Sequence, residues 1–287
     1  MKRLSLYDQV AHETAAVVIR RYSTSFGLAS RLLGAEVREH VENIYALVRV
    51  ADEIVDGGAA EAGLPPELAA RRLNEFEQET NDALETGFST NLVIHAFITT
   101  ARQVDFGREL TEPFFASMRM DLTETEHDQE SFERYVYGSA EVVGLMCLRA
   151  FLQREPVTDD QLARLDRGAC ALGAAFQKVN FLRDLHDDFA RLGRSYFPGV
   201  TVETFTEQQK LRLVDDIDAD LAVSAEVLPM LPAHSRRAVA LAQSLFAELN
   251  RRLRACPAEH LLTTRVRVPD AVKARLALGA AVGRLPR

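Results

Sequence analysis

Residues 177–188 read QKVNFLRDLHDD, and this stretch decides the fold. Gln177, Asn180, Asp184 and Asp188 follow one another at spacings of three, four and four. At about 100° per residue they fall within roughly a quarter-turn of one α-helical face. The positions between them include Val179, Phe181, Leu182 and Leu185, so a polar stripe runs along an otherwise apolar helix. Residues 45–56, YALVRVADEIVD, repeat the design: Tyr45, Arg49, Asp52 and Asp56 are spaced four, three and four. Two helices, each with an Asp pair one turn apart, suit a cluster of hard divalent cations held between opposite walls of a cavity.

Outward from these stretches the chain reads as helix. Period-two alternation is rare and Ala, Leu, Glu and Arg dominate. The periodicity predicts helices over about 7–22, 37–55, 66–85, 91–103, 113–121, 131–155, 158–191, 206–228 and 234–255, with a short one after Pro269. Residues 23–26, STSF, are a plausible start for a further helix. Gly57-Gly58 stops the first aspartate helix, and Thr158 with Gln161 forms a capping-box signature. Residues 123–131 and 193–199 read as loops. No fixed-period repeat or linker interrupts the pattern, so the expectation is an all-α single domain over 1–287, a helical bundle around a central hydrophobic cavity.

At 47% hydrophobic and 26% charged, the 287 residues can bury a large core. The net charge of −8 opposes general nucleic-acid binding, although bound metal would reverse the local sign at an anion site. Cys147, Cys170 and Cys256 are widely separated, which fits free thiols in a reducing compartment. The start, MKRLSLYDQ, lacks the apolar core of a signal peptide, and no stretch approaches about 18 uninterrupted apolar residues. A cytoplasmic protein is expected. Peripheral contact with a membrane stays open, because a greasy substrate could be collected from the bilayer. Oligomeric state is not legible.

Carboxylates one helical turn apart lie about 6 Å from each other and repel when bare. A solvated acidic face is the competing reading. Against it stand the apolar surroundings, an Arg beside each pair (Arg49, Arg183), the hydrogen-bonding groups Tyr45, Gln177 and Asn180, and the repetition of the pattern. Mg²⁺ binds through one or two carboxylates plus substrate phosphate. Facing acidic walls would therefore hold a diphosphate through bridging metal, with Arg taking residual phosphate charge. The chemistry implied is ionisation of an allylic diphosphate, with an apolar cavity keeping water from the carbocation.

At these residues the chain resembles the squalene and phytoene synthase family, head-to-head prenyl synthases of the class I isoprenoid fold, over nearly its whole length. Asp52-Glu53-Ile54-Val55-Asp56, preceded by Tyr45 and Arg49, is similar to the family's first aspartate motif. The second resembles 180–188 followed by Gly193-Arg194-Ser195-Tyr196-Phe197-Pro198. Ser23-Thr24-Ser25-Phe26 resembles its early serine patch, Tyr135-Val136-Tyr137 its Tyr-rich central helix, and Arg265, with Arg267 as competitor, its C-terminal phosphate-binding Arg. The resemblance implies Asp52, Asp56, Asp184, Asp188, Arg49, Arg183 and Tyr45 as catalytic residues. It implies Asp52, Asp56, Asn180, Asp184 and Asp188 as ligands of about two or three Mg²⁺ ions, Mn²⁺ being an alternative. Substrate would meet Ser23, Ser25, Phe26, Tyr45, Arg49, Tyr135, Gln177, Asn180, Arg183, Tyr196 and Arg265. The implied reaction joins two prenyl diphosphates: geranylgeranyl diphosphate to phytoene, or farnesyl diphosphate to dehydrosqualene, squalene or presqualene diphosphate, with NADPH only for squalene. Some family relatives are assembly factors without the aspartates, a non-catalytic alternative that the retained aspartates here oppose.

Other residues carry weaker signals. Tyr135 and Tyr137 are two apart and cannot share a helix face, so one belongs to the core. Tyr196 sits in a Gly/Pro loop with the makings of a flap. Asp121 reads as structural and His186 as a surface or supporting residue. Phe114, Phe115, Val142, Leu145 and Met146 are candidates for the hydrophobic tunnel. Glu141, where family members often carry Gly, faces either the cavity or the surface.

Overall fold

The helices that periodicity predicts form among the described residues, with the one expected over 131–155 interrupted by a π turn and the end expected at 191 lying outside the described residues. The computed structural model describes residues 3–23, 25–187, 194–201 and 204–283. In chain order these form α1 (Arg3–Tyr22), α2 (Ser25–Ser30), α3 (Ala35–Val55), α4 (Gly58–Glu61), α5 (Pro66–Thr86), α6 (Leu92–Val104) and α7 (Arg108–Thr123). There follow α8 (Gln129–Val136), a π-helical turn (Tyr137–Glu141), α9 (Val142–Leu152), α10 (Asp159–Asp187), α11 (Glu207–Val227), α12 (Ala233–Ala255), α13 (Ala258–Leu261) and α14 (Asp270–Ala281). Among the described residues there is no strand, only an isolated bridge between Glu126 and Ser195.

Local chemistry sets the ends. Asn91 Oδ1 accepts from Val93 N at 3.0 Å and opens α6. Thr158 and Gln161 form the expected reciprocal box before α10, and Thr206 with Gln209 repeats it before α11. Each such cap contributes about 1 kcal/mol. Helix α7 starts at Arg108 rather than at Pro113, which lies inside it. Pro113 is the sixth residue of the helix, past the positions whose N–H groups lack a helical partner, so it forgoes the one bond that an N–H here would give the Glu109 carbonyl.

Two apolar cores flank the centre. One joins α1, α3, α5, α6, α7 and α9; the other joins α8, α10, α11, α12 and residues 196–200. Helix α10 packs along α11, α9 and the π turn. Its crossing with the π turn is close: a Cβ on Gly173 would meet the Ala140 carbonyl oxygen at 2.5 Å. Glycine there lets two backbones touch along one cavity wall.

The rod 129–152 is long and apolar enough to span a membrane by length and composition, although charged residues interrupt its apolar runs as the sequence shows. It packs within the bundle against α7 and α10. At its π turn the usual helical ladder is interrupted. Ser117 Oγ from α7 donates to the Tyr135 carbonyl oxygen at 3.1 Å beside that interruption.

Candidate active site

A cavity of about 290 Å³ lies between α3 and α10. On α3 its wall is Val41, Ile44, Tyr45 and Val48; on α10 it runs through Leu172, Phe176, Gln177 and Asn180. The two aspartate stripes continue these same faces. Asp52 comes four residues after Val48, and Asp184 four after Asn180. One helical period therefore supplies a greasy wall and, a turn or two further on, an acidic rim.

The rim is a set of carboxylate–guanidinium contacts. Arg49 Nη1 donates to Asp52 at 2.6 Å and Nη2 to Glu53, while its guanidinium carbon stands 4.5 Å from the Tyr22 ring centroid. Asp184 accepts from Arg183 Nε at 2.9 Å and pairs with Arg265 Nε at 2.7 Å. Arg265, rather than Arg267, is thus the C-terminal arginine placed at the second motif. Asp56 pairs with Arg194, which lies beyond the end of α10, so the segment after the second motif reaches back to the first. Asp188 lies outside the described residues, as does the Ser25 side chain.

The Asp52 carboxyl is raised to about 6, chiefly by burial; Arg49 opposes the rise, Asp56 and Glu53 add to it, and Arg194 pulls against it. Burial likewise raises the Tyr45 phenol, which hydrogen-bonds Ser23 at the mouth. Ser23 Oγ also accepts from Phe26 N at 3.1 Å, so it caps α2 as well. Phe26 lines the cavity and meets Phe176 edge-on at 5.5 Å.

The donors fit a hard divalent cation. They are carboxylate and amide oxygens, and the ionised form of Asp52 is left undercompensated where a cation would complete it. Among the described residues no three acidic, His or Cys side chains form a ready-made cage. Asp52, Asp56, Asn180 and Asp184 are thus placed to supply ligands in ones and twos, a set that substrate phosphate oxygens and water would complete.

Several expected positions fall elsewhere. Tyr135 and Tyr196 are buried off the cavity wall, with their hydroxyls on Asp121. Tyr137 is the exposed member of the Tyr pair. Phe114, Phe115, Val142, Leu145 and Met146 belong to the core, not the tunnel. The α9 cavity wall is instead Val143, Gly144, Cys147, Leu148 and Phe151. That wall continues the face of Ser139 and Ala140 in the π turn at ordinary helical spacing, and Val142, Leu145 and Met146 fall on the opposite side, toward the core. Glu141 faces neither cavity nor open solvent. It is half-buried beside Cys170, with Lys178 and Asp220 of α11 nearby, and burial raises its carboxyl. His186 is exposed. Arg194 and Asp121 were not among the expected site residues. Arg194 stands next to the second motif, but no periodicity reports where a loop residue points.

Comparison with known proteins decides the family. Residues 19–271 match the squalene/phytoene synthase family. The chain belongs to that family. Its members transfer prenyl groups, use prenyl diphosphates and are generally Mg²⁺-dependent. A 15-cis-phytoene synthase of Enterobacter agglomerans is 30% identical over 246 residues, 79% of this chain and 80% of that one. A phytoene synthase of Pseudescherichia vulneris is 30% identical over 253 residues, covering 81% and 79%. A dehydrosqualene synthase structure superposes with a TM-score of 0.79 at 23% identity, over 96% of each chain. Squalene synthase HpnC from Alicyclobacillus acidocaldarius gives 0.73 at 20% identity, over 87% and 95%. At these identities the structures show the shared isoprenoid synthase fold.

One consequence concerns the thiols. Burial pushes Cys147 and Cys170 up to about 12, Glu141 adding to the rise at Cys170. At pH 8 about one part in 10⁴ of each is thiolate. Ellman's reagent should therefore leave both unreacted in the native protein. Fast labelling of Cys147 would mean that the cavity wall opens readily to solvent.

Proposed function

We propose that this chain condenses two geranylgeranyl diphosphates head to head into phytoene, by way of a cyclopropylcarbinyl diphosphate. Each half-reaction releases one diphosphate and one proton. The observation that carries the reading is the continuity of wall and rim: the faces of α3 and α10 that line the cavity end in Asp52, Asp56 and Asp184. Bound Mg²⁺ would supply Lewis-acid stabilisation of the leaving diphosphate. Asp52, Asp56, Asn180 and Asp184 would hold it. Arg49, Arg183 and Arg265 stand at the rim to take diphosphate charge as it develops. Phe26, Val48, Val143 and Phe176 keep water away from the allylic cation.

The twenty-carbon substrate is favoured because the relatives at 30% identity over about four-fifths of both chains are phytoene synthases. A second reading is a thirty-carbon enzyme acting on farnesyl diphosphate, since the matching solved structures include dehydrosqualene and squalene synthases. Squalene itself would additionally require NADPH. Incubation of the purified protein with Mg²⁺ and each diphosphate, followed by mass spectrometry of the hydrocarbon, separates the readings. Phytoene is expected from geranylgeranyl diphosphate. A thirty-carbon product alone would favour the second reading, and no product from either substrate would overturn both.

A further inference from the structure

Asp121 lies on α7, outside both aspartate motifs, and its side chain is 1% exposed. Its Oδ2 accepts from the Tyr135 hydroxyl at 2.8 Å and its Oδ1 from the Tyr196 hydroxyl at 3.1 Å. Arg194 Nη1 stands 3.5 Å from the same Oδ1, and Arg194 Nη2 donates to the Asp121 backbone carbonyl. Through Nη1, Arg194 also reaches Asp56 and, at 3.2 Å, the Tyr196 oxygen.

The segment carrying Arg194 is held at further points. Ser195 N donates to the Thr125 carbonyl at 2.8 Å. The Tyr196 ring stacks on Phe181 with centroids 4.0 Å apart and planes 9° apart. Thus α3, α7, α8 and the segment after α10 meet in one hydrogen-bonded network around a single guanidinium.

In this network two carboxylates share one arginine, and only Asp56 belongs to an aspartate motif. An arginine paired with Asp56 alone would lose its anchor whenever Asp56 engaged another cation. Asp121 and its two phenols hold the guanidinium independently of Asp56. Guanidinium carries five N–H donors in a rigid fork suited to phosphate oxygens, so an arginine kept at this place can serve an anion.

We propose that Asp121, with Tyr135 and Tyr196, is a positioning residue that holds Arg194 at the first aspartate pair, and that Arg194 is a further diphosphate-binding residue of the site. This rests on the prenyl diphosphate reading above and adds to it a residue outside the expected set.

A double-mutant cycle tests it, using inorganic diphosphate with Mg²⁺ as the probe in calorimetry and prenyl diphosphate in steady-state kinetics. Arg194→Gln should weaken diphosphate binding by about 10- to 100-fold, the range for a lost charge-assisted hydrogen bond, and Arg194→Lys should recover part of it. Asp121→Asn should weaken binding by about 5- to 10-fold when Arg194 is present, and by less than about twofold in the Arg194→Gln background. The same dependence is expected in KM. Should Asp121→Asn fold poorly, Tyr135→Phe and Tyr196→Phe each remove one hydroxyl and should show the same dependence on Arg194. Equal losses in both backgrounds, or unchanged affinity in Arg194→Gln, would overturn the proposal. Wild-type protein that neither binds diphosphate nor forms hydrocarbon would instead overturn the function on which it rests.

Discussion

Asp52→Asn and Asp184→Asn should each lower hydrocarbon formation by about 10²- to 10³-fold, the usual effect of removing one preorganised electrostatic group. That corresponds to about 3–4 kcal/mol of transition-state stabilisation. The fold should survive both changes for different reasons. Without the Asp52 carboxylate, Arg49 keeps Glu53. Without that of Asp184, Arg183 and Arg265 lose their carboxylate, but Arg265 is 43% exposed and water can solvate it.

The stability effect at Asp52 has a definite sign. Its folded-state carboxyl is pushed up to about 6, from an ordinary value of 3.8. The folded protein therefore binds this proton more tightly than the unfolded chain, and stability is lost as pH rises through the window between those values. In EDTA, Asp52→Asn should melt higher than the parent at pH 8 and level with it near pH 4. The side chain is 38% exposed, so solvent screening holds the gain to under about 1 kcal/mol, or about 1–3 °C. A lower melting point at pH 8 would mean that the Arg49–Asp52 pair outweighs the burial penalty. Near-full activity in either variant would remove that aspartate from the chemistry.

The second large effect is on stability. Gly138→Ala places a Cβ 2.1 Å from the Pro113 carbonyl oxygen and 2.2 Å from Ser117 Oγ. The first neighbour is backbone, so α7 has to move away from the π turn. Overpacking of this kind costs about 1–3 kcal/mol, sometimes more, and should lower the melting temperature by about 3–10 °C. Activity should fall as well, because α7 carries Asp121. Gly279→Ala is the control. That glycine lies in α14 with nothing within 4 Å of an added Cβ, so helix propensity should raise stability by up to about 1 kcal/mol. Equal melting points for the two variants would show that the α7 contact is looser than described.

Much of this molecule is legible from spacing alone. A helical face is an angular relation between residues of one segment, so Tyr45, Arg49, Asp52 and Asp56, or Gln177, Asn180 and Asp184, group together before any packing is known. Helix starts at Asn91, Thr158 and Thr206 follow from side chains that satisfy the first backbone donors. The all-α bundle follows from the same period and from the scarcity of strand patterns. Spacing does not say which helix packs on which, nor where a helix changes its own pitch. On α9 the tunnel wall is Gly144 and Cys147, while Leu145 and Met146 turn to the core. The pairing of Arg265 with Asp184, and the meeting of Asp56, Asp121, Tyr135 and Arg194, join residues distant in the chain. Only tertiary packing decided those contacts, because periodicity records the angle around one axis and carries nothing about its neighbours.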